Sequence, residues 1–278
     1  WLVSHLENVR PTKGHVSFTD QSINRTLAIK SSADQAYATI DMSSASDRVP
    51  YALAIRMFDS VPDIQGAISA CRSTKAKLPN GDIIHLRKFA SMGSALCFPV
   101  ESMYFYTICV GTLLKIHNLP VTMPNIIKVA RQVFVYGDDI LVPTEHASTV
   151  VNNLQKYYCK VNTAKSFWTG RFRESCGMDA YDGEEVTPTY LRNVPPRNRR
   201  DTSGLISWVK ASNHFYKRGY WKTARTLMQK CESILGKLPV VGPDAACLGK
   251  TSFQRLVSVE RWNKHYQSFE VKGWCATP

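Results

Sequence analysis

Two adjacent carboxylates behind a glycine constrain this chain more than any other feature. Residues 134–142 read Phe-Val-Tyr-Gly-Asp-Asp-Ile-Leu-Val, with strand-favouring residues on both sides of Gly137-Asp138-Asp139. The pattern predicts a β-hairpin with acids at its tip. Neighbouring carboxylates repel each other when partly buried, and a fold holds them readily only if a positive group, usually a divalent cation, stands beside them. Asp138 and Asp139 are therefore candidate metal ligands. Gly-Asp and Asp-Asp are also ordinary turn residues, so the triplet alone leaves both readings open.

Asp41 supplies a possible partner. Residues 37–41, Tyr-Ala-Thr-Ile-Asp, read as a strand ending at the acid, followed by a turn and helix start at Ser43, Ser44 and Ser46. If this strand neighbours the hairpin in one sheet, Asp41, Asp138 and Asp139 meet as in two-metal phosphoryl transfer. Magnesium suits such an all-oxygen site, with manganese as the alternative. A helix N-cap is the plainer role for Asp41, and the later acid pair favours the metal. Asp47 could reach a sugar hydroxyl or simply compensate a helix dipole. The bend at Ser91–Gly93 could let a nucleotide approach, or merely open the next helix.

The balance of charge points the same way. Thirty-five Lys and Arg against 22 Asp and Glu leave a net charge of +13, which calls for a polyanionic partner, nucleic acid ahead of an anionic surface. Ten of those cations and one acid, Asp201, fall between Arg192 and Lys230, giving nine of the thirteen net charges. There Trp208, Phe215, Tyr216, Tyr220 and Trp221 alternate with Lys210, Lys217, Arg218, Lys222 and Arg225, a pattern suited to phosphate contact and base stacking. For any single aromatic a core position is the simpler reading; for the whole segment RNA contact is. The longest apolar stretch, around 103–114, is interrupted by Thr107, Gly111 and Thr112, so no membrane span is expected. Eight cysteines without a C-x-x-C pair read as reduced thiols in a cytosolic protein. An opening on Trp1 suggests a piece of a longer protein.

Along the chain, residues 1–33 show no clear element. Helical spacing over 51–75 breaks at Pro62, Asn80-Gly81 marks a tight hairpin, and an apolar helix is expected over about 100–116. Ala147, Val150, Val151, Leu154 and Tyr158 recur at helical spacing behind the acidic hairpin, and 172–192 reads as strands turning at Asp182-Gly183. A domain boundary is placed after Arg192, beyond which the chain turns basic and helical. With a core of this size (44% hydrophobic residues), two or three subdomains are expected.

Five motifs occur in order: Asp41-Met-Ser-Ser-Ala-Ser-Asp47; Ser91-Met-Gly93 with Glu101-Ser102; Tyr136-Gly-Asp-Asp139; Asn162-Thr-Ala-Lys165-Ser-Phe; and Phe172-Arg-Glu-Ser-Cys-Gly177. Together they resemble motifs A to E of viral RNA-dependent RNA polymerases, and are most similar to the replicase subunit of RNA bacteriophages, the leviviruses. The resemblance runs from about Asp20 to Arg192, and Phe172–Gly177 and Val186–Arg192 carry it far more specifically than Gly-Asp-Asp.

The resemblance implies an α/β (α+β) fold. Residues 37–192 would form a right-hand palm with an antiparallel sheet and packed helices, carrying a fingers-like insertion over about 52–90. Residues 1–36 would be a remnant of the fingers, and 193–278 a basic, mainly helical thumb. Asp41, Asp138 and Asp139 would hold the metals. Asp47, Ser91, Gly93 and Glu101 would bind the ribonucleoside triphosphate, with Asp47 and the Ser91–Gly93 loop sensing its 2′-hydroxyl. Lys165 would protonate the departing pyrophosphate, although an isolated lysine here would read as solvated. Phe172 and Arg173 would support the 3′ end of nascent RNA, and Lys210, Lys217, Arg218, Lys222 and Arg225 would contact RNA. Template and nascent RNA are the implied partners, host translation elongation factors and a ribosomal protein are candidate further ones, and the host cytoplasm, bacterial for a phage, is the implied location.

Two positions depart from the pattern: Cys97 stands where threonine is usual, and Ser94 where the phage proteins commonly have asparagine. No basic motif that grips the triphosphate is found before Asp20. Two other readings share these features: a reverse transcriptase, disfavoured by the small acid Asp47 where a bulky residue would exclude the 2′-hydroxyl, and an RNA-binding polymerase fragment without activity.

Overall fold

In a computed structural model, residues 1–254 and 257–275 are described. They divide into two compact units, Trp1–Thr187 and Pro188–Pro278. The division falls between Thr187 and Pro188, a few residues before the expected boundary.

The first unit runs α1 (Leu2–Asn8), α2 (Ser22–Asp34), β1 (Tyr37–Ile40), α3 (Tyr51–Arg56), α4 (Pro62–Ala70), β2 (Lys75–Lys77), β3 (Ile83–His85), α5 (Cys97–Ile116), α6 (Met123–Ala130), β4 (Phe134–Tyr136), β5 (Asp139–Pro143), α7 (Ala147–Lys156), β6 (Phe172–Ser175), β7 (Met178–Tyr181) and β8 (Glu184–Glu185). The expected acidic hairpin is β4–β5. It extends across β1 into an antiparallel sheet of order β1-β5-β4, while β6, β7 and β8 form a second. Ala38, Ile40, Ile140 and Val142 alternate along β1 and β5 and join one apolar cluster with Val100, Phe105, Cys109 and Leu113 of α5 and Val150 and Leu154 of α7. α5 is apolar almost all round because it is a core helix, and Pro99 is tolerated in its first turn, where no intrahelical acceptor awaits its nitrogen. Among the described residues it is the one helix long and apolar enough to cross a membrane, and 78% of that apolar window is buried inside the protein.

Residues 1–36 pack into the first unit. α1 buries Leu6 in the main cluster, and Glu7 accepts from the Phe18 and Thr19 amides at 2.8 and 3.1 Å. α2 packs on β1, β6 and β7, with Ala28 against Met178 and Ala180. Its docking is largely polar: buried Asn24 donates to the Asp139 carbonyl at 3.2 Å, and the Ser32 hydroxyl accepts from the Gly183 amide at 2.8 Å. A helix that docks through Asn and Ser shows little apolar periodicity, and so α2 escapes sequence patterning.

The second unit holds α8 (Thr202–Lys217), α9 (Trp221–Leu235), β9 (Arg261–Asn263) and β10 (Ser268–Glu270). α8 is capped by Asp201, whose carboxylate accepts from the Gly204 amide at 3.0 Å. Leu205, Trp208 and Val209 pack on Leu227, Met228, Cys231 and Leu235 of α9, and the left-handed Gly219 lets the chain reverse between the helices. The unit is less helical than expected. α9 ends at Leu235 beside the left-handed Gly236, and Pro239, Gly242, Pro243 and Gly249 then favour irregular backbone over the described residues that follow, broken by the short β9–β10 hairpin.

Candidate active site

The antiparallel register decides which acids meet. β1 pairs with β5 as Ile40 with Ile140, so one further step sets Asp41 across from Asp139. Tyr136 pairs with Asp139, leaving Gly137-Asp138 as a two-residue turn. Gly137 adopts φ 62°, and a Cβ there would overlap the Phe98 ring at Cε2, so both conformation and space require glycine. The Phe98 ring packs edge-on against Tyr136 and Phe18, tying the start of α5 to the turn.

Each acid is held differently. Asn162 donates from its side chain to Asp41 Oδ2 and from its backbone to the Asp41 carbonyl, both at 2.9 Å, and the Asp41 amide donates to the Ser166 hydroxyl at 3.0 Å. Asp139 Oδ1 accepts from the Ser175 hydroxyl at 3.3 Å. Burial raises the carboxyl pKa of Asp41, and that of Asp139 to about 6, with further upward pressure from Asp138 on both. Glu101, buried on α5, is pushed up to about 7 by burial and by the charge of Asp138, and its carboxylate accepts from the Cys97 thiol at 3.7 Å. Asp41, Asp138, Asp139 and Glu101, from four separate positions on the backbone, thus share one negative field.

Lys165 lies in that field. Its pKa is raised first by Glu174, 3.4 Å away, and then by Asp41 and Asp139. Glu174, Asn162, Ser166 and Ser175 were not singled out from sequence, although all lie inside or beside the matched motifs. Asp47 is drawn instead to Lys88, with which it forms an ion pair. Ser91 and the left-handed Gly93 line a separate cavity of about 430 Å³ with Arg72 and Ser94. The acids are not among the residues that line it.

Arg173 is not an RNA contact. It is fully buried, and its guanidinium donates to the carbonyls of Tyr37, Gly170 and Phe172 at 2.7, 2.9 and 2.7 Å. It ties β6 to β1 and has no face for RNA. Phe172 is half-buried, edge-on against Phe167. In the second unit Lys210, Lys217, Lys222 and Arg225 are exposed and Arg218 is partly so. Lys210, His214 and Lys217 line one cavity of about 640 Å³ on α8. Trp208 is core; Tyr220 and Trp221 are exposed.

Among the described residues no three His, Cys, Asp or Glu side chains stand together as a ready metal cage. The donor set nonetheless fits magnesium, which is commonly bound through one or two carboxylates with water and substrate phosphates supplying the rest. Carboxylates whose pKa values are lifted by burial and mutual repulsion are the groups a divalent cation would relieve.

The acids of the β4–β5 hairpin are half-buried, and the second unit carries an exposed basic helical pair. The profile of the RNA replicase, beta-chain family matches residues 10–202, and the chain belongs to this family. It is 36% identical over 177 residues to the RNA-directed RNA polymerase beta chain of Escherichia phage MS2, covering 64% of this chain and 30% of that one. It is 34% identical over 179 residues to the beta subunit from Qbeta virus (strain MX1), covering 64% and 28%. With the beta subunit of Enterobacteria phage SP it shares 29% identity over 264 residues, covering 90% and 42%. The chain thus spans about a third of the length of the relatives it matches. A foamy viral protease-reverse transcriptase superposes with a TM-score of 0.39 at 15% identity, over 72% of this chain and 27% of that one.

Proposed function

We propose that this chain carries the catalytic centre of an RNA-directed RNA polymerase, which joins ribonucleoside triphosphates to a nascent RNA 3′ end under direction of an RNA template. The observation that carries the reading is the β1-β5-β4 register, which brings the end of β1 at Asp41 opposite Asp139 beside the Gly137-Asp138 turn, in a chain of the replicase beta-chain family. In this reading the first unit is the palm and the second an RNA-binding thumb.

Asp41 and Asp138 would hold magnesium, or manganese in its place; bound there, it supplies charge stabilisation for the attacking hydroxyl and the departing pyrophosphate. Asp139, bonded to Ser175 of β6, ties the hairpin to the neighbouring strand and adds to the negative field. Asn162 orients the Asp41 carboxylate. Lys165 carries a proton beside Asp41, Asp139 and Glu174, in place to meet pyrophosphate. Asp47 senses the ribose 2′-hydroxyl, and Ser91, Gly93 and Glu101 complete the nucleotide-binding set. Lys210, Lys217, Arg218, Lys222 and Arg225 hold RNA phosphates. Host translation elongation factors and a ribosomal protein are proposed as partners, and the cytoplasm of a bacterial host as the location.

The test is template-directed incorporation of ribo- and deoxyribonucleotides by the full natural chain. Ribonucleotide-dependent synthesis, abolished by Asp138→Asn with RNA affinity retained, is expected. Synthesis by Asp138→Asn near the unmutated rate would overturn the metal assignment, a preference for deoxyribonucleotides would favour a reverse transcriptase, and salt-dependent RNA binding without incorporation would favour a binding module.

A further inference from the structure

The ion pair between Lys88 and Asp47 joins two segments that are 41 residues apart in sequence. Lys88 is no free surface lysine: its side chain is 25% exposed, and its backbone is held from two sides. On one side it bridges to Pro50, the Phe89 amide donates to the Val49 carbonyl at 2.7 Å, and the Tyr51 amide donates to the Arg87 carbonyl at 2.9 Å. On the other, the Arg72 guanidinium donates to the carbonyls of Lys88 at 2.9 Å and Phe89 at 3.0 Å, and also to Leu86. The same guanidinium lies 4.1 Å from the centroid of the Tyr51 ring, so one arginine locks both segments together.

Asp47 therefore stands on a short turn whose neighbour across the gap is fixed. Lys88 takes Oδ1, and among the described residues no other side chain is bonded to the Asp47 carboxylate. A carboxylate has about four acceptor sites, so Oδ2 remains able to accept from a hydroxyl. Asp47 and Lys88 share the wall of a cavity of about 920 Å³ with Arg48, Arg87 and Leu86, within the size of small-molecule sites.

We propose that Lys88 is a positioning residue for ribose selection: by anchoring one oxygen of Asp47 it presents the other to the 2′-hydroxyl of the incoming nucleotide. The inference rests on the reading of Asp47 given under the proposed function. Without the anchor, the half-exposed Asp47 side chain samples several rotamers, and the freedom lost on binding falls on the ribonucleotide alone. The hairpin insertion that carries Arg72 and Lys88 then serves the site from outside the sheet.

The experiment measures Kd for ATP and for 2′-deoxy-ATP, and their relative incorporation, on the full natural chain and three variants. Lys88→Met is expected to lower the ribo-over-deoxy ratio about fivefold, through a weaker ribonucleotide KM with kcat largely kept, a size typical of losing one ordered side chain. Lys88→Arg, which retains a pairing cation, should restore it. A purely structural role would weaken both nucleotides together, leave the ratio fixed and overturn the proposal. Asp47→Ala separates the two failures. If it collapses the ratio while Lys88→Met does not, the Lys88 inference alone is wrong; if it leaves the ratio unchanged, the Asp47 reading falls and the inference with it.

Discussion

The acidic sheet of the first unit and the basic helical pair of the second handle charge in opposite ways. In the first, Asp139 and Glu101 are withdrawn from water, and their carboxyl pKa values climb to about 6 and about 7 because burial and the Asp138 charge oppose ionisation. In the second, Lys210, Lys217, Lys222 and Arg225 stand exposed on a helical hairpin whose core is made by Trp208, Leu205 and Leu227. Buried charge makes each residue depend on a few fixed partners, whereas exposed charge is screened and acts as a sum. Single substitutions should therefore be severe in the first unit and mild in the second.

The sharpest challenge to that contrast is Arg173→Met. It leaves the Tyr37, Gly170 and Phe172 carbonyls without their donor, and a loss of about 3 kcal/mol is expected from urea unfolding. A loss under about 1 kcal/mol would show that the buried guanidinium is no strut. Next comes Gly137→Ala, expected to cost about 2 kcal/mol through a left-handed φ and the encounter with Phe98. Pairing it with Phe98→Leu should recover part of that cost, and no recovery would place the strain in the backbone alone.

Glu101→Gln sharpens the comparison through pH. The Glu101 carboxyl sits at about 7 against an ordinary 4.5, so its share of stability is complete below pH 4.5 and is lost as pH rises through 7. The variant should match the parent at pH 4.5 and exceed it by roughly 1–2 kcal/mol near pH 8, read from paired denaturation curves. Equal stability at both values would remove Glu101 from the negative field. The smallest effects belong to the second unit: Lys217→Ala or Lys222→Ala should weaken RNA binding only about two- to threefold and reduce the salt slope by about 1 for each phosphate no longer neutralised. A hundredfold weakening from one of them would break the contrast.

Legibility from sequence followed the same division of physics. The β4–β5 hairpin, β1, the Asn80-Gly81 hairpin, α5 and α7 were readable because alternation, turn residues and helical apolar spacing are local signals. α2 was not, because it docks through Asn24 and Ser32 rather than an apolar stripe. α6 and the irregular stretch after Leu235 were likewise missed. Arg173 reads as an RNA contact through the motif resemblance alone, and its burial rests on carbonyls from β1 and the turn before β6 that sequence does not pair with it.

By itself the sequence determined the inventory: a glycine that alone fits the hairpin turn, the acids around it, the family motifs in order, and a stretch holding nine of thirteen net positive charges. Tertiary structure decided the partnerships. Only the antiparallel register sets Asp41 across from Asp139, only packing places Glu101 in the field of Asp138, and only the Arg72 clamp brings Lys88 to Asp47. Residue identity fixes which chemistry is available, but electrostatic coupling falls off over a few ångströms, and distances between remote residues exist only once the chain has folded.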